Sequence, residues 1–174
     1  MAAFTVIDHT ELGASASSWD VTSIPSSYDH LLIVASARSD EANTLKFLML
    51  NFNGDTGTNY SSTHLYTVSA TPASDRDTGG AYMKVGHVTA ANVLADSFGT
   101  FKCWIPNYAN TANFKQAAVQ SSTGGSSISD WYWSLNVDAG LWSSTAAINQ
   151  VTLAPGLDDF VQYSTFTLYG VTGA

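Results

Sequence analysis

Charge, cysteine and helix are what this sequence has least of. Only 11 % of its 174 residues are charged, against about a quarter in an average soluble domain. Six Lys and Arg stand against fourteen Asp and Glu, a net charge of −8. That balance excludes a nucleic-acid binder working through a basic surface, because phosphate neutralisation supplies most of such affinity. The single cysteine, Cys103, excludes an intrachain disulfide and any cysteine-based zinc cluster. Met1 to Asp8 has neither the basic start nor the apolar run of a signal peptide. The charge-free stretch 139–157 is broken by Gly140, Pro155 and Gly156, so it does not read as a membrane span. A soluble protein made in a cytoplasm is the expectation, with no membrane partner.

Ser and Thr take over the polar role, 22 and 19 of them. With 45 % hydrophobic and 12 % aromatic residues the chain has ample material for a core, which excludes disorder. Apolar positions recur at period two, in Val, Ile, Thr, Tyr, Phe and Trp. His30 to Arg38 alternates, whereas Leu45 to Phe52 is apolar on both faces apart from Lys46 and Asn51, as in a strand covered on both sides. Further strands are expected at Phe4–Ile7, Ser18–Ser23, Leu65–Ala70, Tyr82–Thr89, Phe98–Ile105, Phe114–Ser121, Trp131–Val137, Ala147–Ala154 and Gln162–Val171. Thr71-Pro72-Ala73-Ser74 and Asn53-Gly54-Asp55 carry turn chemistry, and Gly79-Gly80 and Gly124-Gly125 read as loop tips. Helical turns are expected only at Ala90–Ala95 and Thr145–Ile148. Nothing isolates a second domain. The pattern predicts one all-β domain over residues 1–174, a jelly-roll-like antiparallel β-sandwich.

Catalytic motifs are hard to find. Gly13-Ala-Ser15-Ala-Ser17 falls short of a nucleophile elbow. His9, His30, His64 and His87 are scattered without metal-ligand spacing and read as surface or strand residues. The pairing of carboxylates that a glycosidase needs is not legible in sequence. Asn51-Phe-Asn53-Gly-Asp55-Thr-Gly57-Thr-Asn59 alternates oxygen-bearing residues, but it misses the glycine and the bidentate glutamate of an EF-hand loop and reads better as a strand exit and turn. Asp75 and Asp77 around Arg76 read as loop solvation. No catalytic residue, metal or cofactor is expected, and no enzyme.

Two features fit either a binding surface or ordinary structure, in which Ser, Thr, Asn and Gln suffice for solvation and Trp fills the core. From Cys103 onward only Lys115, Asp130, Asp138, Asp158 and Asp159 carry charge, and protein interfaces differ from other surface chiefly in charge depletion and aromatic enrichment. Trp131 and Trp133 share one face of a strand, where they either fill the core or form an interaction surface for protein or sugar.

Five stretches then fall in a familiar order: 28–39 (YDHLLIVASARS), 52–61 (FNGDTGTNYS), 105–111 (IPNYANT), 142–148 (WSSTAAI) and 163–170 (YSTFTLYG). Together they resemble a family of small structural proteins of tailed bacteriophages, frequent in phages of cyanobacteria and other aquatic bacteria. The resemblance implies a virion component with no catalytic residues. It implies a capsid decoration, or cement, protein on the outside of the head, bound to the major capsid protein and to copies of itself as a homotrimer. The alternative is a tail or fibre module that recognises host surface glycan, in which Trp131 and Trp133 face the sugar.

Overall fold

The chain is described as a computed structural model covering residues 3–68, 71–127 and 130–173, with the side chains of 68 and 125–133 outside the description. Among the described residues twelve strands follow one another: β1 (Ala3–Glu11), β2 (Trp19–Val21), β3 (His30–Ala37), β4 (Leu45–Phe52), β5 (Tyr60–Val68) and β6 (Thr71–Gly80). Then come β7 (Met83–Thr89), β8 (Gly99–Pro106), β9 (Lys115–Ser127), β10 (Asp130–Trp142), β11 (Val151–Ala154) and β12 (Thr165–Thr172). They form an eight-stranded sheet, β1-β12-β3-β8-β9-β10-β5-β6, facing a four-stranded sheet, β2-β11-β4-β7.

Every strand pairing is antiparallel, and the pairings are nested. β5 pairs β6, β4 pairs β7 and β3 pairs β8, so the chain from β3 to β8 is one long hairpin laid alternately on the two sheets. β1 with β12 and β2 with β11 repeat the device. That rolled hairpin defines a jelly-roll-like β-sandwich. The β9–β10 hairpin is added inside the large sheet, where β10 joins it to β5.

Alternation decides which side chains enter the sandwich. Leu31, Ile33, Phe101, Cys103, Ile105, Phe166 and Leu168 of the large sheet meet Leu48, Leu50, Phe52, Val85, Val151 and Leu153 of the small one, all essentially without exposure. Trp19 stacks on Phe166 with ring centroids 5.3 Å apart. Burial pushes the Cys103 thiol well above its usual range, so it is an inert core residue.

Several expectations change. The residues read as a Pro turn and an acidic loop form β6, because the edge strand of a sheet tolerates Pro72 and charged side chains. Gly124 and Gly125 continue β9, which runs to Ser127. Ala90–Ala95 and Thr145–Ile148 are turns and coil. β4 is an interior strand of the small sheet, but its outer residues Leu45, Phe47 and Met49 are only half-buried, with Lys84 over the Phe47 ring and His87 beside it.

The connection between β7 and β8 is organised by a buried cation. Arg38 follows β3, and its guanidinium donates to the carbonyls of Ala91, Val93, Leu94 and Ser97 at 2.7–3.2 Å. Burial lowers its pKa, with Asp96 opposing.

Candidate functional site

The small sheet ends at β7, and beside it, where the Phe47 ring meets His64 and Tyr66, the inner faces of β5 and β10 turn largely polar. Polar residues take over there. Ser62 and His64 on β5, Ser121 on β9, and Ser134, Asn136 and Asp138 on β10 are all buried. The Nδ1–H of His64 lies 3.2 Å from Asp138 Oδ1, and Asp138 Oδ2 accepts the Gly86 N–H at 2.6 Å. On the other side of the ring, His64 Nε2 is 3.1 Å from Ser62 Oγ and 3.3 Å from Asp77 Oδ2. Lys84 Nζ stands 3.5 Å from Asp77 and 4.0 Å above the Phe47 ring.

Serine, histidine and aspartate in that order are the connectivity of a hydrolase triad. Two observations separate this cluster from one. The Asp77 carboxylate shares the very nitrogen that would accept the serine proton. Ser62 is 2 % exposed and faces the sandwich interior, so its oxygen has no substrate side. What the network does is tie β7 to β5, β6 and β10. Gly86 is the joint: it bulges β7 at a φ of +51°, and a Cβ there would lie 2.9 Å from the Phe101 ring.

His87, next to that bulge, is the weakest point of the network. Its Nδ1 bonds Ser134 Oγ at 3.0 Å, the Phe47 ring centroid is 3.9 Å away, and its Nε2 has no partner. Burial, aided by His64 and Lys84 and opposed by Asp138 and Asn136, lowers its pKa to about 4. The unfolded chain therefore binds a proton at His87 that the fold does not accept until pH reaches about 4. Stability is retained above pH ~6.5 and falls as pH drops from there towards about 4, by about 3 kcal/mol. Urea unfolding between pH 7 and 4 should record that slope, and His87→Phe should flatten it. An equal slope in the variant would contradict the assignment.

The histidines thus divide. His64 and His87 are strand residues of β5 and β7, as expected of surface or strand positions, with their rings turned to the interior, whereas His9 and His30 lie on the outer face of the large sheet. The carboxylate that pairs with His64 comes from 74 residues away. That separation hid the cluster from any local reading.

The polar string 51–59 is a structural clasp. Asn53 and Gly54 turn with φ of 56° and 64°. Asn53 Oδ1 accepts the N–H groups of Asn149 and Gln150, and its Nδ2 donates to Ala147 O. Asp55 accepts from Gly57 N, Asn59 Nδ2 and Trp142 Nε1 at 2.7–2.9 Å, bonds that lower its pKa, Trp142 foremost. Tyr60 OH closes the turn on the Phe52 backbone. Both Asp55 oxygens face N–H donors, an arrangement unlike a cation ligand set. No group of three or more potential ligands gathers among the described residues.

The remaining feature is the outer face of the large sheet. Its registers align in rows across the strands. One runs His9, Thr167, Val34, Lys102, Gln120, Val137, Leu65, Ser74 from β1 to β6. A neighbouring row runs Val6, Tyr169, Leu32, Trp104, Ala118, Ala139, Thr63, Arg76. The face is roughly 34 Å wide at the usual strand spacing. It exposes Phe4, Val6, Val34, Leu65, Leu135 and Val137, the last four by 40–60 %. Of the chain's fourteen carboxylates, Glu11 at the β1 edge is the one this face holds among the described side chains. Lys115 and Asp138, two of the few charges after Cys103, are buried, which thins the surface charge of that half further. Trp131 and Trp133 lie on β10, but their side chains fall outside the described residues.

No protein-family model matches the chain, and no curated protein matches it significantly. Among solved structures it is similar to galectin LEC-6 of Caenorhabditis elegans, with a TM-score of 0.37 and 7 % identity over 95 % of this chain and 96 % of that one. The sandwich assignment rests on the nested strand pairing described above.

Proposed function

We propose that this chain is a non-enzymatic structural protein of a tailed-phage virion, a decoration protein that docks on the outer surface of the major capsid protein. The carrying observation is the outer face of the large sheet: wide, exposing six large apolar side chains, and with one carboxylate among its described residues on a chain of net charge −8. Several large exposed apolar side chains on a face nearly free of carboxylates are what a protein-binding surface offers. The sequence resemblance supports the virion setting, and the absence of a substrate side at Ser62 supports a role in binding rather than turnover. Many copies on a closed shell need only a modest interface each.

Self-association as a homotrimer, which the sequence resemblance implies, belongs to the same proposal. Purified particles should carry the protein on the head, visible by antibody labelling. Label confined to the tail would favour a glycan-binding module and overturn the decoration reading.

A further inference from the structure

The chain has six Lys and Arg, and four of them are engaged. Arg38 and Lys115 are buried and donate to backbone carbonyls. Lys46 pairs with Glu41 and Asp158, and Lys84 with Asp77. The other two, Lys102 and Arg76, have no ion-pair partner among the described residues, and both lie on the outer face of the large sheet. Arg76 is on the edge strand β6, open to solvent. Lys102 is on β8, the fourth of eight strands, in a groove of about 650 Å³ with Val34 on one side and Gln120 and Val137 on the other.

A protein with fourteen carboxylates thus leaves an unpaired ammonium in the middle of its least acidic surface. A partner that covered the groove with apolar groups alone would strip water from that charge without compensation. We infer that the surface seated on this groove belongs to a different protein and presents apolar side chains around a carboxylate that pairs with Lys102. The inference rests on the docking reading above. Charge complementarity argues against a second copy face to face, because a two-fold pairing of these faces brings Lys102 towards its own symmetry mate. Nucleic acid is opposed by the net charge.

The test uses heads purified from particles lacking this protein, to which the full chain and its variants are added at rising concentration and at two salt concentrations. The variants are Lys102→Gln, Lys102→Glu and Val137→Asp, all at exposed positions, with Arg76→Glu as a charge change on the same face away from the groove. Wild type should bind, and more weakly at high salt. Lys102→Gln should lose roughly tenfold in affinity and much of the salt dependence, and Lys102→Glu roughly a hundredfold. Arg76→Glu should stay within about twofold. If Val137→Asp weakens binding while Lys102→Gln binds like wild type, the face docks without a carboxylate and the inference falls alone. If all variants bind like wild type, the groove is not the interface. If the Lys102 variants instead change the oligomeric state of the free chain, a second copy occupies the groove. Failure of wild type to bind heads overturns the decoration reading and this inference together.

Discussion

Replacing Arg38 with Met should cost the fold at least about 3 kcal/mol and lower Tm by roughly 10 °C. Charge-assisted hydrogen bonds are worth about 1.5–3 kcal/mol each, and buried acceptors left without donors add to the loss. Arg38 supplies donors to four carbonyls of the β7–β8 connection, those of Ala91, Val93, Leu94 and Ser97. Met fills a similar volume but offers none. Arg38→Lys should recover part of the loss, since an ammonium keeps the charge without the fork that reaches four carbonyls. The effect should appear first in hydrogen exchange of residues 90–98, ahead of the sheets. Thermal melts of Arg38→Met matching wild type would mean that the connection orders itself without the cation.

The second large effect is expected at Trp142, where Trp142→Ala should destabilise by about 3–5 kcal/mol. Trp142 is 2 % exposed. Its ring stacks on Tyr60 at 6.2 Å and meets Phe52 at 5.6 Å, while Nε1 donates to Asp55 Oδ2. One side chain therefore fills the core between β4, β5 and β10 and also pins the turn of the 51–59 string. Trp142→Phe separates the two roles, keeping most of the ring packing and removing the hydrogen bond. It should cost about 1–2 kcal/mol. Because Asp55 loses its foremost N–H donor in Trp142→Phe, the variant should also keep more of its remaining stability as pH falls through the carboxylate range. Urea titrations of the three proteins at pH 7 and at about pH 3, below the ordinary carboxylate value, measure both effects.

The sandwich was legible because period-two alternation and turn residues are local signals, strongest in strands such as His30–Ala37 that have one face on the core. β6 was not, since an edge strand carries the Pro, Asp and Gly that usually mark loops. The buried histidines were illegible for another reason. His64, Asp77, Asp138 and Gly86 meet only because β5, β6, β10 and the β7 bulge converge, and no spacing along the chain encodes that. The charge-poor C-terminal half contributes Leu135 and Val137 to the outer face, and that face emerges only once the registers place Phe4 and Val6 of β1, Val34 of β3 and Leu65 of β5 on the same side of the one sheet. Lys102 belongs to the same lesson. In sequence it is one cation among six, and its isolation appears only when the partners of Lys46, Lys84, Arg38 and Lys115 are known.

The proposed role requires that the outer face of the β1-to-β6 sheet hold this protein to a capsid. A reconstruction of the intact virion by electron cryomicroscopy, at a resolution that separates strands, tests it most directly. The account predicts twelve-stranded density repeated over the head, its eight-stranded sheet towards the shell and the groove at Lys102 in contact with capsid protein. Copies on the head with that sheet turned to solvent, or density restricted to the tail, would contradict it.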